Sequence, residues 1–351
     1  MSGALLRWFL AAGRKMDWRD TRDPYRIWVS EVMLQQTRVE TVTPYYRRFI
    51  ERFPDIGAVA VAPLDDVLSA WEGMGYYARA RNLHRAAGIV QERFAGALPS
   101  TVEELVQLPG VGRSTAGAIA AIAFGKDAPI LDANARRVIA RLLCVRGDLR
   151  ATASEKLLWE RSVQLVRAGK GRETALALMD LGACVCIPRV PLCGECPLRA
   201  FCAAFRAGAQ GEIPARSRRS KVPHYDIAAA LLRNEGGELL LLRRPPKGLL
   251  GGLWALPSGR REEGESIEEA LGRALEEKLG LAIAIQRKVG VVRHAYSHYR
   301  ITLHGYLCSA VRDRLPSGDG IRWMRPGARS GYAIPRADRK FLEQFLEEGT
   351  R

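Results

Sequence analysis

The chain has 351 residues, which is long for one hydrophobic core, so two domains are expected. Its 54 Lys and Arg against 38 Asp and Glu give a formal net charge of +16 at pH 7, which favours a polyanionic partner through phosphate contacts. No uninterrupted apolar run approaches the roughly 20 residues that a membrane-spanning helix needs. The composition therefore favours a nucleic-acid-binding protein over a membrane protein, although a basic protein without such a partner has the same composition.

The N-terminal segment, residues 4–12, is apolar but short, and Arg7 interrupts it. The spacing of its leucines and Phe9 is typical of an amphipathic helix and not of a secretory signal peptide. We therefore expect an intracellular protein, cytoplasmic or nucleoid-associated if it is bacterial.

The next part of the chain, up to about Ala204, has the pattern of a helical protein. Asp23 followed by Pro24 is typical of an N-cap with proline at the first helical position, and it predicts a helix through Leu34. Glycine and proline separate the later apolar-periodic segments. The further predicted helices are 39–53, 64–71, 78–94, 101–108, 114–124 and 134–144.

Residues 206–221 have the composition of a basic linker, with glycines, a proline and several arginines against the single acid Glu212. A solvated tether and a DNA-contacting segment fit this composition about equally well. After Pro223 the periodicity becomes that of strands, and a Gly-Gly turn between the first two apolar runs predicts a β-hairpin. A later helix has Ser266 as N-cap, Glu269 three residues on and Gly280 at its end. The strands predicted here are 226–233, 239–243, 283–293 and 300–310, and a last helix is predicted near 337–348.

Three features of the helical part are candidates for chemistry. Gly110 and Gly112 lie between two predicted helices, where backbone N–H groups at a helix N-terminus can hold a phosphate. Glu31 interrupts an apolar helix face, and Asp132 directly precedes a predicted helix. Taken alone, each has an ordinary explanation. The glycines could form an interhelical turn, Glu31 could be an exposed charge, and Asp132 could be an N-cap.

Four of the seven cysteines have the spacing C-x6-C-x2-C-x5-C, namely Cys186, Cys193, Cys196 and Cys202. Such clustering in a reducing compartment is typical of a metal site and not of disulfides. The ligand set alone fits zinc and a four-thiolate iron–sulfur cluster about equally well. The other three cysteines are expected in the core; they are Cys144, Cys184 and Cys308.

The strings around these residues resemble one family. Residues 28–37 (Trp-Val-Ser-Glu-Val-Met-Leu-Gln-Gln-Thr) and 71–79 are similar to the signatures of adenine DNA glycosylases, the MutY family. Residues 108–116 resemble the helix–hairpin–helix of the wider endonuclease III superfamily. The resemblance implies that Glu31 is the general acid, kept protonated by apolar surroundings, and that Asp132 faces the scissile sugar.

The resemblance also implies a set of DNA contacts. Gln36 enters the duplex, Tyr76 wedges into the base stack beside the lesion, and the hairpin of Gly110 and Gly112 holds a backbone phosphate. Family members usually have glycine where Ala133 stands, so the turn at Asp132 is expected to differ slightly.

Ser114 distinguishes two kinds of enzyme within the superfamily. Members that also cut the DNA strand carry a nucleophilic lysine at this position, and a hydroxyl cannot form the corresponding Schiff base. Base removal without efficient strand cleavage is therefore expected, with Ser114 contacting DNA. The cysteine spacing agrees with the [4Fe–4S] site of the superfamily, and Arg189 in its first loop is placed to meet phosphate.

The C-terminal part resembles a Nudix domain. Gly259, Glu265 and Arg273 have the spacing that begins a Nudix box, but Ala274 and Lys278 stand where magnesium-binding carboxylates are required. We therefore expect the scaffold without its magnesium-dependent reaction.

In the resembling family such a domain recognises 8-oxoguanine through a loop that usually reads Phe-Ser-His. Tyr296, Ser297 and His298 occupy that place here. Tyrosine preserves the stacking ring, and the other two side chains offer polar contacts. If the family resemblance is set aside, the simpler interpretation of these three residues is a short polar connection between two strands.

Together these features predict a multidomain protein: an all-α helix–hairpin–helix glycosylase region with a [4Fe–4S] cluster, followed by an α+β Nudix-like domain. The expected boundaries are 1–205, a linker at 206–223, and 224–351. The first region contains a six-helix barrel module at about 24–133 and an iron–sulfur module from the N-terminal helix and about 134–205. The expected activity is monofunctional removal of adenine opposite 8-oxoguanine or guanine in double-stranded DNA, by a monomer.

Three alternatives remain at this point. Ser114 and the second domain oppose a bifunctional glycosylase/lyase, while Ala274 and Lys278 oppose a Nudix hydrolase with a DNA-binding attachment. A non-catalytic DNA-binding protein requires both Glu31 and Asp132 to be incidental.

Overall fold

The computed structural model describes residues 1–215, 222–311, 316–325 and 331–346. By their contacts the residues form two units. The first unit consists of Met1–Val61 and Asn82–Arg218, and the second consists of Ala62–Arg81 and Arg219–Arg351. Residues 62–81, which the sequence places in the helical region, thus group with the C-terminal domain. Parts of two predicted segments lie outside the described residues: Arg216, Arg218, Arg219 and Lys221 of the linker, and 347–348 of the last helix. No helix in the described ranges is long and apolar enough to cross a lipid bilayer.

The chain is mainly helical up to Arg206, as predicted for the part up to about Ala204. The helices are α1 (Ser2–Ala12), α2 (Pro24–Leu34), α3 (Val39–Arg52), α4 (Ile56–Val61), α5 (Leu64–Ala70), α6 (Ala78–Phe94), α7 (Val102–Leu105), α8 (Arg113–Phe124), α9 (Ala133–Leu143), α10 (Thr152–Leu165), α11 (Gly171–Asp180) and α12 (Ala203–Arg206). A π-helical turn, Leu181–Val185, continues α11, and a 3-10 turn, Arg199–Phe201, precedes α12. The predicted helix at 101–108 is only one turn long, because the chain turns after α7 to reach the hairpin at Gly110.

The start of α2 follows the predicted capping pattern. The Asp23 side chain accepts hydrogen bonds from the N–H groups of Tyr25 and Arg26, and Pro24 opens the helix. Helix α2 packs against α8, whose central residues from Ala116 to Ala123 are all buried.

Helix α8 consists largely of small residues, which lets the chain before α9 approach closely. A Cβ on Gly117 would lie 2.2 Å from the carbonyl oxygen of Pro129, so glycine is required at this crossing. The segment leading to Asp132 is therefore held against α8.

The second unit contains two sheets. Their strands are β1 (His224–Leu232), β2 (Leu239–Arg243), β3 (Trp254–Ala255), β4 (Ser258–Arg260), β5 (Ile283–Ala295), β6 (Arg300–Ala310) and β7 (Ile321–Met324). One sheet has the order β4-β1-β6-β5 and the other β3-β2-β7. Only β1 and β6 run parallel among these pairs, with His224 opposite Arg300 at one end and Leu232 opposite Cys308 at the other.

Helices α13 (Ile267–Leu279) and α14 (Arg336–Leu346) pack against the strands, and α5 from the segment 62–81 also belongs to this unit. Helix α13 lies between β4 and β5 in the chain and carries the predicted capping box of Ser266 and Glu269, with Gly280 left-handed at its end. One apolar cluster, with Leu271 and Leu275, lies under α13, and another, with Phe341, lies under α14.

The predicted β-hairpin between β1 and β2 is wrong in one respect. The turn forms, since the Asn234 N–H donates to the Glu238 carbonyl at 3.0 Å, and an isolated bridge joins Arg233 to Leu239. The two strands then diverge into different sheets, because β1 pairs with β4 and β6 while β2 pairs with β3 and β7.

Candidate active site and cysteine cavity

A cavity of about 670 Å³ lies in the first unit between α2, the start of α8 and the start of α9. Glu31, Ser114 and Asp132 all line it. The structure thus brings Glu31 together with two predicted site residues, Ser114 and Asp132, that lie far from it in the chain. A concave site with a few convergent polar groups is the usual setting for small-ligand or base chemistry.

Glu31 is supported by an apolar helix face. Its neighbours Ile27 and Trp28 are buried, and burial raises the pKa of Glu31 to about 7. The negative charge of Asp132 raises this pKa further, while the positive charge of Arg19 lowers it. A large fraction of the carboxyl is therefore protonated near neutral pH, which a general acid requires.

Asp132 is both an N-cap and a cavity residue. Its Oδ1 accepts a hydrogen bond from the Ala135 N–H at 2.7 Å at the start of α9. Burial raises the pKa of Asp132, and hydrogen bonds from the Ala135 and Asn134 N–H groups and the charge of Arg137 counteract that rise. The N-cap explanation and the sugar-facing explanation are thus compatible in one side chain.

Ser114 connects α8 to the segment before Asp132. Its Oγ accepts a hydrogen bond from the Leu131 N–H at 2.9 Å. Ser114 therefore fixes the backbone next to the candidate catalytic carboxylate of Asp132.

The predicted phosphate hairpin is closely packed on one side and open on the other. Gly110 has φ +81°, and a Cβ there would lie 2.8 Å from the Cβ of Asn82. Gly112 is the N-cap of α8, and nothing lies within 4 Å of the position that its Cβ would take. Gln35 donates to the Gly110 carbonyl and to Thr115, which ties the end of α2 to this hairpin. A ligand can thus approach the hairpin at Gly112.

Two other predicted DNA contacts have unusual backbones. Gln36 is exposed with φ +60°, directly after α2, and Tyr76, in the second unit, has φ +52°. A non-glycine residue in the left-handed region costs roughly 1–2 kcal/mol, and such strain concentrates at functional sites. Arg189 is exposed in the loop after Cys186.

A buried carboxylate that the sequence analysis missed organises the cavity wall. Asp180, at the end of α11, is fully buried and forms ion pairs with Arg14 at 2.7 Å and Arg19 at 2.6 Å. Burial opposes its ionisation, but the two arginines hold the pKa of Asp180 below its usual range. Arg14 and Arg19 line the cavity, so Asp180 fixes two cations beside Glu31. No local pattern marks this pairing, because its partners are more than 160 residues apart.

The four spaced cysteines line a second cavity in the same unit. Cys186, Cys193, Cys196 and Cys202 share it with Arg141, whose Nη1 donates to the Cys186 Sγ at 3.3 Å. Among the described residues, no three His, Cys, Asp or Glu side chains converge as ligands of a single metal ion.

Arg137, the fifth residue of α9, links the two cavities. Arg137 donates from Nε to the Cys186 carbonyl at 2.7 Å and from Nη2 to the Asn134 side chain at 2.8 Å. It also lines the first cavity. The cysteine loop and the Asp132 turn are thus mechanically connected.

The three cysteines outside the second cavity differ in burial. Cys308 is buried, as expected, and Cys144 is partly buried at the end of α9. The expectation of a core position for Cys184 is wrong, because this side chain is exposed. It lies in the π-helical turn Leu181–Val185, whose wider winding turns Leu181, Gly182 and Val185 inward and Cys184 outward.

In the second unit, Tyr296, Ser297 and His298 form the connection between β5 and β6. Ser297 and His298 are exposed, whereas the Tyr296 ring stacks on Tyr299 at 4.8 Å. The Tyr296 hydroxyl accepts from the Ala337 N–H at 3.4 Å. The two polar side chains are therefore accessible at the tip, and the tyrosine anchors them.

The Nudix-like box has an internal ion network. Arg273 pairs with Glu265 at 2.7 Å and with Glu277 at 3.4 Å, and Lys278 donates to the Ser258 carbonyl. Ala274 is buried against Gly259, where a Cβ would lie 2.3 Å from the Ala274 Cβ. The carboxylates of Glu265 and Glu277 thus bind the guanidinium of Arg273.

Comparison with known proteins gives two family matches. Residues 29–163 match the HhH-GPD superfamily base excision DNA repair protein, and residues 228–344 match the NUDIX domain. The adenine DNA glycosylase of Mus musculus is 33% identical over 99% of this chain and 78% of its own length.

Two solved structures share the fold of the helical region. A thermostable thymine-DNA glycosylase is 32% identical, with a TM-score of 0.54 over 59% of this chain and 95% of its own. A non-covalent endonuclease III–DNA complex is 24% identical, with a TM-score of 0.50 over 59% of this chain and 94% of its own. The predicted combination of a helix–hairpin–helix region and an α+β Nudix-like domain is confirmed. The roles of the individual site residues stay predictions.

Proposed function

Because the chain belongs to the adenine DNA glycosylase family, we propose that it removes adenine from duplex DNA where adenine lies opposite 8-oxoguanine or guanine. One observation carries the assignment: Glu31, with a pKa raised to about 7, shares one cavity with Asp132. The product is an abasic site in an otherwise intact strand, and the chain acts as a monomer in base-excision repair.

The two carboxyl groups divide the chemistry. The adenine must leave the base stack to reach the cavity, since its glycosidic bond is inaccessible in a duplex. Glu31 protonates the departing base, and Asp132 stabilises the oxocarbenium-like sugar or captures it transiently before water attacks. Ser114 offers no amine for a Schiff base, so the strand is not cut efficiently.

DNA is held by groups around the first cavity and by the C-terminal loop. Gly112, at the N-terminus of α8, binds a phosphate together with Gly110 and Ser114, and Arg189 meets a second phosphate. Gln36 and Tyr76 enter the base stack, while Tyr296, Ser297 and His298 read the 8-oxoguanine.

A panel of duplexes tests this function. Incubation with adenine opposite 8-oxoguanine, guanine or thymine, followed by alkali, should produce strand breaks for the first two duplexes and few for the third. Without alkali, strands should stay intact. Equal cleavage without alkali would identify a lyase, and no abasic sites in any duplex would refute the proposed function.

The pKa of Glu31 predicts a pH dependence. The acid must be protonated, so the single-turnover excision rate should be level below about pH 6 and should fall as the pH rises through about 7. At high pH the fall should approach tenfold per pH unit. A rate that is flat or rises between about pH 7 and pH 9 would contradict the assignment of Glu31 as the acid.

The second cavity fits an iron–sulfur cluster, which members of this superfamily generally carry. Four thiols around one cavity match the four corner irons of a [4Fe–4S] cubane, with Arg141 as a hydrogen-bond donor to the Cys186 sulfur. A single zinc ion would need these thiols to converge on one point. A cluster held by these four cysteines would tie down both ends of the loop between Cys186 and Cys193, which carries Arg189.

The purified protein should be brown and contain about four irons per chain. Cys196→Ser should lose most of this iron, because one corner ligand is removed. Cys184→Ser is the matched control, since this exposed cysteine lies outside the ligand set, and it should keep its full iron content. One zinc and no iron by elemental analysis would overturn the cluster.

Replacing Ser297 and His298 together with alanine should narrow the difference between adenine opposite 8-oxoguanine and adenine opposite guanine. Each lost contact to a base edge is worth roughly 1–3 kcal/mol at most, and the chemical step should survive. Single-turnover rates on the two duplexes measure the ratio. Ser317→Ala, an exposed change elsewhere in the same domain, should leave it unchanged. A double variant with the parent's full preference would show that this loop does not read the lesion.

A further inference from the structure

The segment of residues 62–81 is anchored inside the second unit, although it precedes the rest of that unit by more than a hundred residues. At its start, the Asp65 carboxylate binds Arg243 Nη2 at 2.7 Å and Trp254 Nε1 at 3.2 Å. At its end, Arg81 donates to the Gly251 carbonyl. Both ends of the segment are thus fixed to the strands β2 and β3 or to the loop between them.

The middle of the segment is held by a bidentate ion pair. Arg339, on α14, donates from Nε to Glu72 Oε1 at 2.7 Å and from Nη2 to Glu72 Oε2 at 2.8 Å. The same Nη2 also donates to the Tyr332 carbonyl at 3.1 Å. The two side chains are only 10% and 20% exposed, so this pair differs from an open surface pair, which contributes little.

Short connections transmit the position of Glu72 to Tyr76. Trp71, next to Glu72, donates from Nε1 to the Gly75 carbonyl at 3.2 Å, and Arg79 donates to the same oxygen at 3.1 Å. The Arg79 guanidinium lies 5.4 Å from the centre of the Tyr76 ring. The loop from Trp71 to Arg79 is therefore one hydrogen-bonded unit.

The same loop meets the predicted lesion-reading connection. The Tyr76 ring packs edge-on against His298, with ring centres 6.3 Å apart. The left-handed backbone of Tyr76 holds the ring in this direction, and a strained conformation persists only where its surroundings enforce it.

We propose that Glu72 and Arg339 are positioning residues for lesion recognition: their ion pair sets Tyr76 against His298, so that the preference for 8-oxoguanine over guanine depends on it. Neither residue touches the cavity of Glu31 and Asp132. The inference rests on the proposed function. It adds that the C-terminal domain acts on specificity through residues 62–81 as well as through its own loop.

Charge reversal tests the pair in the full-length protein. Glu72→Arg and Arg339→Glu, each alone, should reduce the ratio of single-turnover rates for 8-oxoguanine over guanine by about tenfold, since like charges force the loop away. The double variant, which restores opposite charges, should recover most of the ratio. The excision rate on adenine opposite guanine should change less than twofold in all three, because the chemical step is untouched.

A second readout follows the loop directly. Hydrogen exchange at residues 71–79 should accelerate in Glu72→Gln, while exchange in α8 stays at the parent level. Arg325→Gln is the matched control: Arg325 pairs with Glu238 at 3.5 Å but is 85% exposed, and its loss should change neither readout.

The proposed function and the positioning role would fail in different ways. A parent protein that excises no adenine refutes the proposed function itself. A parent that discriminates normally, together with a Glu72→Arg variant that keeps the full ratio and unchanged exchange at 71–79, overturns the positioning role. Equal losses on both duplexes without recovery in the double variant also overturn it, since they indicate a general loss of stability.

Discussion

Glu31→Gln should bind duplex DNA about as tightly as the parent and excise adenine at least 10²–10⁴-fold more slowly, the usual contribution of a general acid. The amide has the shape of the carboxyl, but its N–H protons are not acidic enough to be transferred to the departing base. Ile27 and Trp28 pack beside it unchanged, so the cavity should keep its form. Single-turnover excision and equilibrium binding, measured on the same duplex, separate the two effects.

Glu40→Gln is the matched control for this variant. Glu40 also lines the cavity, but its side chain is exposed in the first turn of α3 and is not assigned a role in the chemistry. Its excision rate should stay within about twofold of the parent. Substantial excision by Glu31→Gln, or an equal loss in both variants, would remove Glu31 from the role.

Asp132→Asn should fold normally and lose at least about hundredfold in excision rate. Asparagine is as good an N-cap as aspartate, so its side-chain oxygen can still accept from the Ala135 N–H. What disappears is the negative charge that stabilises the oxocarbenium-like sugar. The melting temperature shows whether the N-cap hydrogen bond is kept, and single-turnover kinetics show the effect of losing the negative charge.

Asp127→Asn provides a comparison with the same chemical change. Asp127 is exposed, and its carboxylate accepts a hydrogen bond from the Gly169 N–H at 2.9 Å. It does not line the cavity. It should leave the excision rate unchanged. An Asp132→Asn variant with nearly full activity would show that Asp132 is only a cap.

Local features of the fold could be predicted from the sequence because they depend on neighbouring residues. The caps at Asp23 and Ser266 and the left-handed end at Gly280 involve hydrogen bonds over a few positions, and all three are present. The carboxylates Glu31 and Asp132 were singled out through family resemblance, while their convergence on one cavity needed the tertiary structure.

Long-range arrangements could not be predicted in this way. The turn at Asn234 carries a hairpin signal, yet nothing local shows that its strands enter separate sheets. The pairing of Asp180 with Arg14 and Arg19, and of Glu72 with Arg339, joins segments more than 150 residues apart. The exposure of Cys184 follows from a π-helical turn that periodicity does not reveal.

Removal of adenine with Glu31 as the acid is tested most directly by identifying the products of a single turnover. Mass spectrometry would be applied to a duplex with adenine opposite 8-oxoguanine. We expect free adenine and an unbroken strand whose mass corresponds to one adenine replaced by hydroxyl, with neither product formed by Glu31→Gln in the same time. Release of a different base, a broken strand without alkali, or equal yields of adenine from both proteins would contradict this expectation.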